Sequence, residues 1–262
     1  MLASNLATGF AGGRSSTRFL VGMLLAIGLL AAAPSSANDA QDAQKLLFSM
    51  TNAIHALDYQ GSFTYQHSGR TDTLRVFHAG GANERERIVS LNGPSRELVR
   101  TGSSVICVGP DGSAVSYAII RGKGLLPLVP TATTSSLDEH YDIRMAGSDR
   151  VAGYLADVIE VRPRDGFRYG YRIWLERDSH MLLRSMVVDQ RQQVLEQFMF
   201  VALEIGRLPS DADLVPRRTG NLTADTSGED EIELRKSPNF RVTDAPPGFA
   251  LISARRPSQP SS

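Results

Sequence analysis

Ser62-Phe63-Thr64-Tyr65-Gln66 then Ser68-Gly69, Thr73-Leu74-Arg75-Val76-Phe77-His78 then Gly80-Gly81, Arg87-Ile88-Val89-Ser90-Leu91 then Asn92-Gly93-Pro94: this stretch, residues 62–94, decides the fold. Each run is short, rich in β-branched and aromatic residues, and closed by turn formers. The rhythm continues through Arg96–Arg100 to Gly102, Val105–Val108 to Pro110-Asp111-Gly112, and Ala114–Ile120. A spacing of roughly 8–12 residues marks an antiparallel sheet or barrel and excludes alternating strand-helix-strand units.

Upstream the period changes. Over Asp39–Leu57 the apolar residues Ala43, Leu46, Leu47, Met50, Ala53, Ile54 and Leu57 recur at three and four, which predicts one amphipathic helix. Asn38 with Gln41 three residues on reads as its capping box. Downstream, Asp157–Val161, Arg168–Leu175, Leu182–Val188 and Gln193–Leu203 read as further strands. In Arg168–Leu175 the residues Tyr169, Tyr171, Ile173 and Leu175 share one face, while Arg168, Gly170, Arg172 and Trp174 share the other. Between the two groups of strands, Gly122–Ser136 is a loop containing Leu125, Leu126, Leu128 and Val129, too apolar for simple exposure. Two readings stand: the loop plugs its own core, or it is a lid over an apolar cavity.

The ends are of another character. Residues 1–37 read as a signal peptide: few charges, the apolar run Phe19–Ala33, then small residues, with cleavage before Asn38. Fifteen residues fall short of the about 20 that span a bilayer. This predicts export, and in a bacterium the periplasm. Residues 207–239, rich in Pro, Asp, Ser, Thr and Gly, read as a linker, and 240–262 as the start of a second, truncated domain. The main domain is therefore expected over 38–206.

Composition narrows function. Twenty-eight basic and 28 acidic residues cancel, which argues against nucleic acid as a partner. One cysteine, Cys107, excludes an intrachain disulfide and a cysteine-built zinc site, and its apolar neighbours suit a core position. Gly-x-Ser-x-Gly and His-Glu-x-x-His motifs are absent, and Ala79-Gly80-Gly81-Ala82 lacks the lysine of a phosphate loop. His67 and His78 fall on neighbouring strands, either as solvated strand ends or as a metal- or pH-responsive pair. No catalytic residue, cofactor or metal is expected. The chain reads as a binder, with Phe63, Tyr65, Tyr169, Tyr171, Trp174, Phe198 and Phe200 lining an apolar site and Leu125, Leu126, Leu128 and Val129 over it.

Specific residues then carry a resemblance. Arg164-Asp165-Gly166-Phe167-Arg168-Tyr169-Gly170-Tyr171-Arg172-Ile173-Trp174 is the most specific stretch. It is preceded by Tyr141-Asp142-Ile143, Arg150-Val151-Ala152 and Val158–Val161, and followed by Val194-Leu195-Glu196-Gln197-Phe198. With Asn92-Gly93-Pro94 upstream and Pro247-Gly248-Phe249 and Arg255-Arg256-Pro257 downstream, the succession resembles the MucB/RseB family. The resemblance implies a mainly β (α+β) fold like the LolA/LolB lipoprotein carriers, a half-open antiparallel β-barrel with helices over the concave face. It implies a periplasmic negative regulator of an extracytoplasmic-function sigma factor. Such a protein binds the periplasmic domain of a membrane anti-sigma factor of RseA/MucA type, shields it from regulated proteolysis, and senses lipid or lipopolysaccharide acyl chains. The alternatives are a lipid or lipoprotein carrier and, in a third class, a hydrolase assembled from distant residues. Exposed strand edges make self-association into a homo-oligomer a further expectation.

Overall fold

The computed structural model describes residues 36–118, 137–217, 222–224 and 244–249. Helix α1 (Ser36–Ala56) leads into six strands: β1 (Tyr59–His67), β2 (Arg70–Ala79), β3 (Arg85–Ser90), β4 (Glu97–Thr101), β5 (Ser104–Val108) and β6 (Ala114–Ala118). A single helical turn, α2 (Leu137–His140), opens the second group: β7 (Tyr141–Val151), β8 (Tyr154–Pro163), β9 (Gly170–Glu176), β10 (Leu182–Val188) and β11 (Val194–Ile205). A 3-10 turn at Asp211–Asp213 and the short β12 (Leu222–Ala224) follow.

The described strands form one sheet in the order β12-β6-β5-β4-β3-β2-β1-β11-β10-β9-β8-β7. All neighbours are antiparallel except β12, which pairs parallel with β6. The chain thus lays a six-strand meander outward from β1, then returns so that its last long strand, β11, zips onto the free side of β1. Tight turns fix the registers. Ser68 and Gly69, both at positive φ, close β1 and β2 as a two-residue hairpin, and Ala152-Gly153 do the same for β7 and β8.

The sheet curls around α1 without closing. The helix rests against β7 and β10, β7 also approaches β11, and the Tyr154 hydroxyl donates to the Leu203 carbonyl at 3.1 Å across the curl. The expected half-open antiparallel sheet is what the described residues form, with one long helix on it. That helix begins at Ser36, so Asn38 lies inside it instead of capping it; nothing between Ser36 and Asn38 breaks a helix. Its expected stripe is the buried one: Ala43, Leu47, Met50, Ala53 and Ile54 are buried, and Leu46 and Leu57 pack beside them.

Side-chain alternation gives the sheet two faces. The inner face, against α1, carries Tyr59, Phe63, Val76, Ile88, Ile159, Ile173, Phe198 and Phe200. The outer face is covered along β2–β4 by residues 207–217, which cross it as a strap. Leu214 packs on Phe77 and Ala79, Arg87 donates to the Asp213 carbonyl at 3.2 Å, and the Arg217 amide donates to Glu97 at 3.1 Å. Under the strap, buried Arg87 forks onto buried Glu97 at 2.9 and 3.0 Å.

Candidate binding site

The aromatic residues expected to line an apolar site divide three ways. Phe63, Phe198 and Phe200 lie on paired strands of the inner face, with ring centroids 4.9, 5.8 and 5.1 Å apart in tilted and edge-on contacts. Each is at most 2% exposed, and they share one buried cluster with Met50 and Ile54 of α1. These rings, as the chain stands, are core.

Tyr65 and Tyr171 stand at the rim of that core, half-exposed and packed on its edge, together with Tyr141. The register brings Tyr65 level with Phe198 and His67 level with Glu196. The Tyr65 hydroxyl donates to the Glu196 carboxylate at 2.8 Å, and its ring stacks on His67 at 4.9 Å. Burial, then the Glu196 bond, pushes the Tyr65 hydroxyl up to about 12; burial, then the neighbouring Tyr141, does the same for Tyr171. Both phenols therefore stay neutral, with the one donor of Tyr65 already given to Glu196. A groove of about 230 Å³ lies on the other face of β8–β10, where Glu160, Arg172 and Met186 stand level with one another and Val188 adjoins them. Leu137, where the described chain resumes, packs at the edge of the same core. Leu125, Leu126, Leu128 and Val129 lie outside the described residues.

Trp174 is elsewhere. It pairs with Arg184 and Val158, which places it on the outer face. Its indole is buried between two guanidiniums, Arg184 at 4.4 Å and Arg172 at 5.4 Å, and its Nε1 donates to Asp149 at 2.9 Å. Tyr169 is half-exposed, next to an exposed Phe167 in the β8–β9 connection. So Tyr65 and Tyr171 edge the phenylalanine core, and Trp174, a member of the same buried cluster, lies on the opposite face of the sheet.

A second constellation was not read from the sequence. Below the C-terminus of α1, the Glu84 carboxylate receives His55 at 2.8 Å, His78 at 3.0 Å and Arg100 at 2.5 Å, and Arg100 also reaches Glu86 at 3.3 Å. His78, 1% exposed, stacks on Tyr59 at 4.5 Å, and its other ring nitrogen faces the Leu57 carbonyl at 2.8 Å. Burial drives the Glu84 carboxyl up, but hydrogen bonds from His55, His78 and Arg100 outweigh it and hold the acid well below its usual range. The same bond to Glu84 raises His55. His67 and His78 are thus at opposite ends of the β1–β2 ladder and form no pair. The available signal was alternation: Glu86 shares a strand face with Ile88, and Arg100 with Leu98, so two charges occupy apolar positions. Among the described residues no group of His, Cys, Asp and Glu is arranged to hold a metal ion. Cys107, expected in the core, is half-buried.

The described residues thus form a curled, unclosed antiparallel sheet wrapped on one long helix, with a tyrosine rim. The MucB/RseB N-terminal domain matches residues 42–219, and the chain belongs to that family. It is 33% identical over 232 residues to the sigma factor AlgU regulatory protein MucB of Pseudomonas aeruginosa, covering 87% of this chain and 70% of the relative. It is 29% identical over 231 residues to the sigma-E factor regulatory protein RseB of Haemophilus influenzae, covering 87% and 72%. Among solved structures, MucB aligns at 30% identity with a TM-score of 0.57, over 67% of this chain and 63% of that one. The Pseudomonas aeruginosa MucA/MucB complex aligns at 30% identity and TM-score 0.55, over 67% and 61%. The alignments therefore span about three fifths of those solved chains.

Proposed function

We propose that this protein is a periplasmic regulator that acts by binding the periplasmic segment of a membrane anti-sigma factor. The observation that carries this is the family: the matching relatives are named as regulators of AlgU and sigma-E, and MucB has been solved in complex with the periplasmic part of MucA. The apolar leader read over residues 1–37 supports the compartment. Binding of this kind needs a rigid surface, and the two-faced sheet, pinned inside by α1 and outside by the strap, supplies one.

In this reading, occupancy shields the anti-sigma segment from proteolysis, and acyl chains of displaced lipid or lipopolysaccharide end the shielding. The interior is filled by α1 and the three phenylalanines, so an acyl chain would lie along the half-exposed Tyr65, Tyr141 and Tyr171 at its edge, each CH2 covered there contributing up to about 0.8 kcal/mol. The regulatory reading is favoured over a lipid carrier by the family match. The test is a protease-protection assay on an anti-sigma periplasmic segment, with and without the protein, then with added lipid A. Protection that lipid A relieves is expected. Replacing Leu125, Leu126 and Leu128 together by Ser should blunt that relief while leaving protection intact. An anti-sigma segment cleaved equally fast with and without the protein would contradict the proposal.

A further inference from the structure

The β8–β9 connection carries the most specific motif of the chain, and its centre is turned away from the core. Asp165 accepts the Phe167 amide at 2.9 Å and pairs with a terminal nitrogen of Arg168. The arginine so held is only 9% exposed, although it sits in a surface turn. What buries it comes from about 80 residues downstream, a separation that follows from positions 168 and 247. Its second terminal nitrogen donates to the Pro247 carbonyl at 2.9 Å, and its guanidinium lies 4.5 Å from the centre of the Phe249 ring. The Phe249 amide turns back onto the Pro246 carbonyl at 3.1 Å, with Gly248 at φ 76°. A Cβ on Gly248 would displace the His140 imidazole and the Arg168 guanidinium, and the left-handed φ favours glycine here in any case. His140 is itself tied to the turn through its carbonyl, which accepts the Arg164 amide at 2.8 Å.

A cation is thus clamped between a carboxylate, a backbone carbonyl and an aromatic face, each a recognised partner of a guanidinium. The segment it clamps lies outside the matched family domain, which ends at residue 219. We propose that the Asp165–Arg168 turn, walled by His140, is a docking socket for the Pro246-Pro247-Gly248-Phe249 segment, and that it fixes the point from which the chain beyond Phe249 leaves the sheet. The socket adjoins the rim: Arg164 of the same turn donates to the Tyr141 carbonyl at 3.1 Å. The Pro246–Phe249 segment is therefore held close to Tyr141. The socket stands whether or not the anti-sigma reading does.

Hydrogen exchange on the full chain tests it, through peptides spanning residues 164–170 and 244–249. Phe249→Ala and Gly248→Ala are each expected to speed exchange in both peptides by about tenfold or more, with β1 and β11 unaffected. Arg168→Lys, which keeps the charge but not the fork, should give the same local effect, and combined with Phe249→Ala it should add nothing further. Additive effects in the double variant would overturn the socket, as would unchanged exchange in Gly248→Ala. Loss of protection spreading through β8 and β9 in Phe249→Ala would also overturn it, since the segment would then be part of the sheet's own fold.

Discussion

Glu84 shows what one residue does here. It balances Arg100, a guanidinium 1% exposed, and receives two imidazoles as well. Glu84→Gln leaves that cation with Glu86 as its remaining carboxylate and weakens both imidazole contacts, and should cost about 1–3 kcal/mol in urea unfolding. The pH dependence follows from the two shifts. His55 titrates above its ordinary 6.5, so its contribution is complete below about pH 6.5 and fades as pH rises through the folded value. Glu84 titrates below its ordinary 4.5, so its contribution is present above about pH 4.5 and is lost only in strong acid. The stability gap between wild type and His55→Asn should therefore be wide at pH 6 and narrow at pH 9, as read from urea midpoints. Trp174 is the other single-residue case, as the chain's one tryptophan. Trp174→Phe loses the Asp149 bond and part of the cation stacking, and should cost about 1–2 kcal/mol by thermal unfolding. At this scale the sequence was a partial guide. Alternation placed Tyr171, Ile173 and Leu175 on one face and Trp174 on the other, which is how they lie. It did not show that Trp174 would be roofed by arginines, because long cationic side chains cover apolar surface in ways that spacing alone does not encode.

Elements were legible where their period was strong. The α1 stripe and ten of the strands follow directly from three-four spacing, alternation and turn residues. β7 escaped because it is an edge strand. Only Ile143 and Val151 of it are buried; Tyr141–Met145 alternates apolar and polar residues, but Gly147 at φ 98° breaks the register and Ser148, Asp149 and Arg150 carry no apolar side chain, so the alternating run is only five residues long. Those features blunt an edge against further pairing. The other edge, β6, is occupied by β12. Gly80 was dismissed as a phosphate-loop glycine, and its role is packing: a Cβ there would strike the Ala56 and Leu57 carbonyls where α1 ends. Residues 207–217 have the composition of a turn-rich connector, which is why they read as part of a linker over 207–239; their attachment is long-range, through Leu214 and the Arg87–Glu97 pair. Leu214→Ala should therefore behave as a core truncation, costing about 2–4 kcal/mol in thermal unfolding, whereas a true linker residue would be neutral.

For the described sheet and helix together, the same curl that buries α1 leaves a tyrosine rim at one edge and an outer face pinned by residues 207–217. The most direct measurement is a calorimetric titration of the protein with the periplasmic segment of the membrane anti-sigma factor, at physiological salt. Saturable one-to-one binding, weakened when lipid A is present, is the expected result. Heats indistinguishable from dilution, at protein concentrations where the fold is intact, would contradict the assignment of this chain as an anti-sigma-binding regulator.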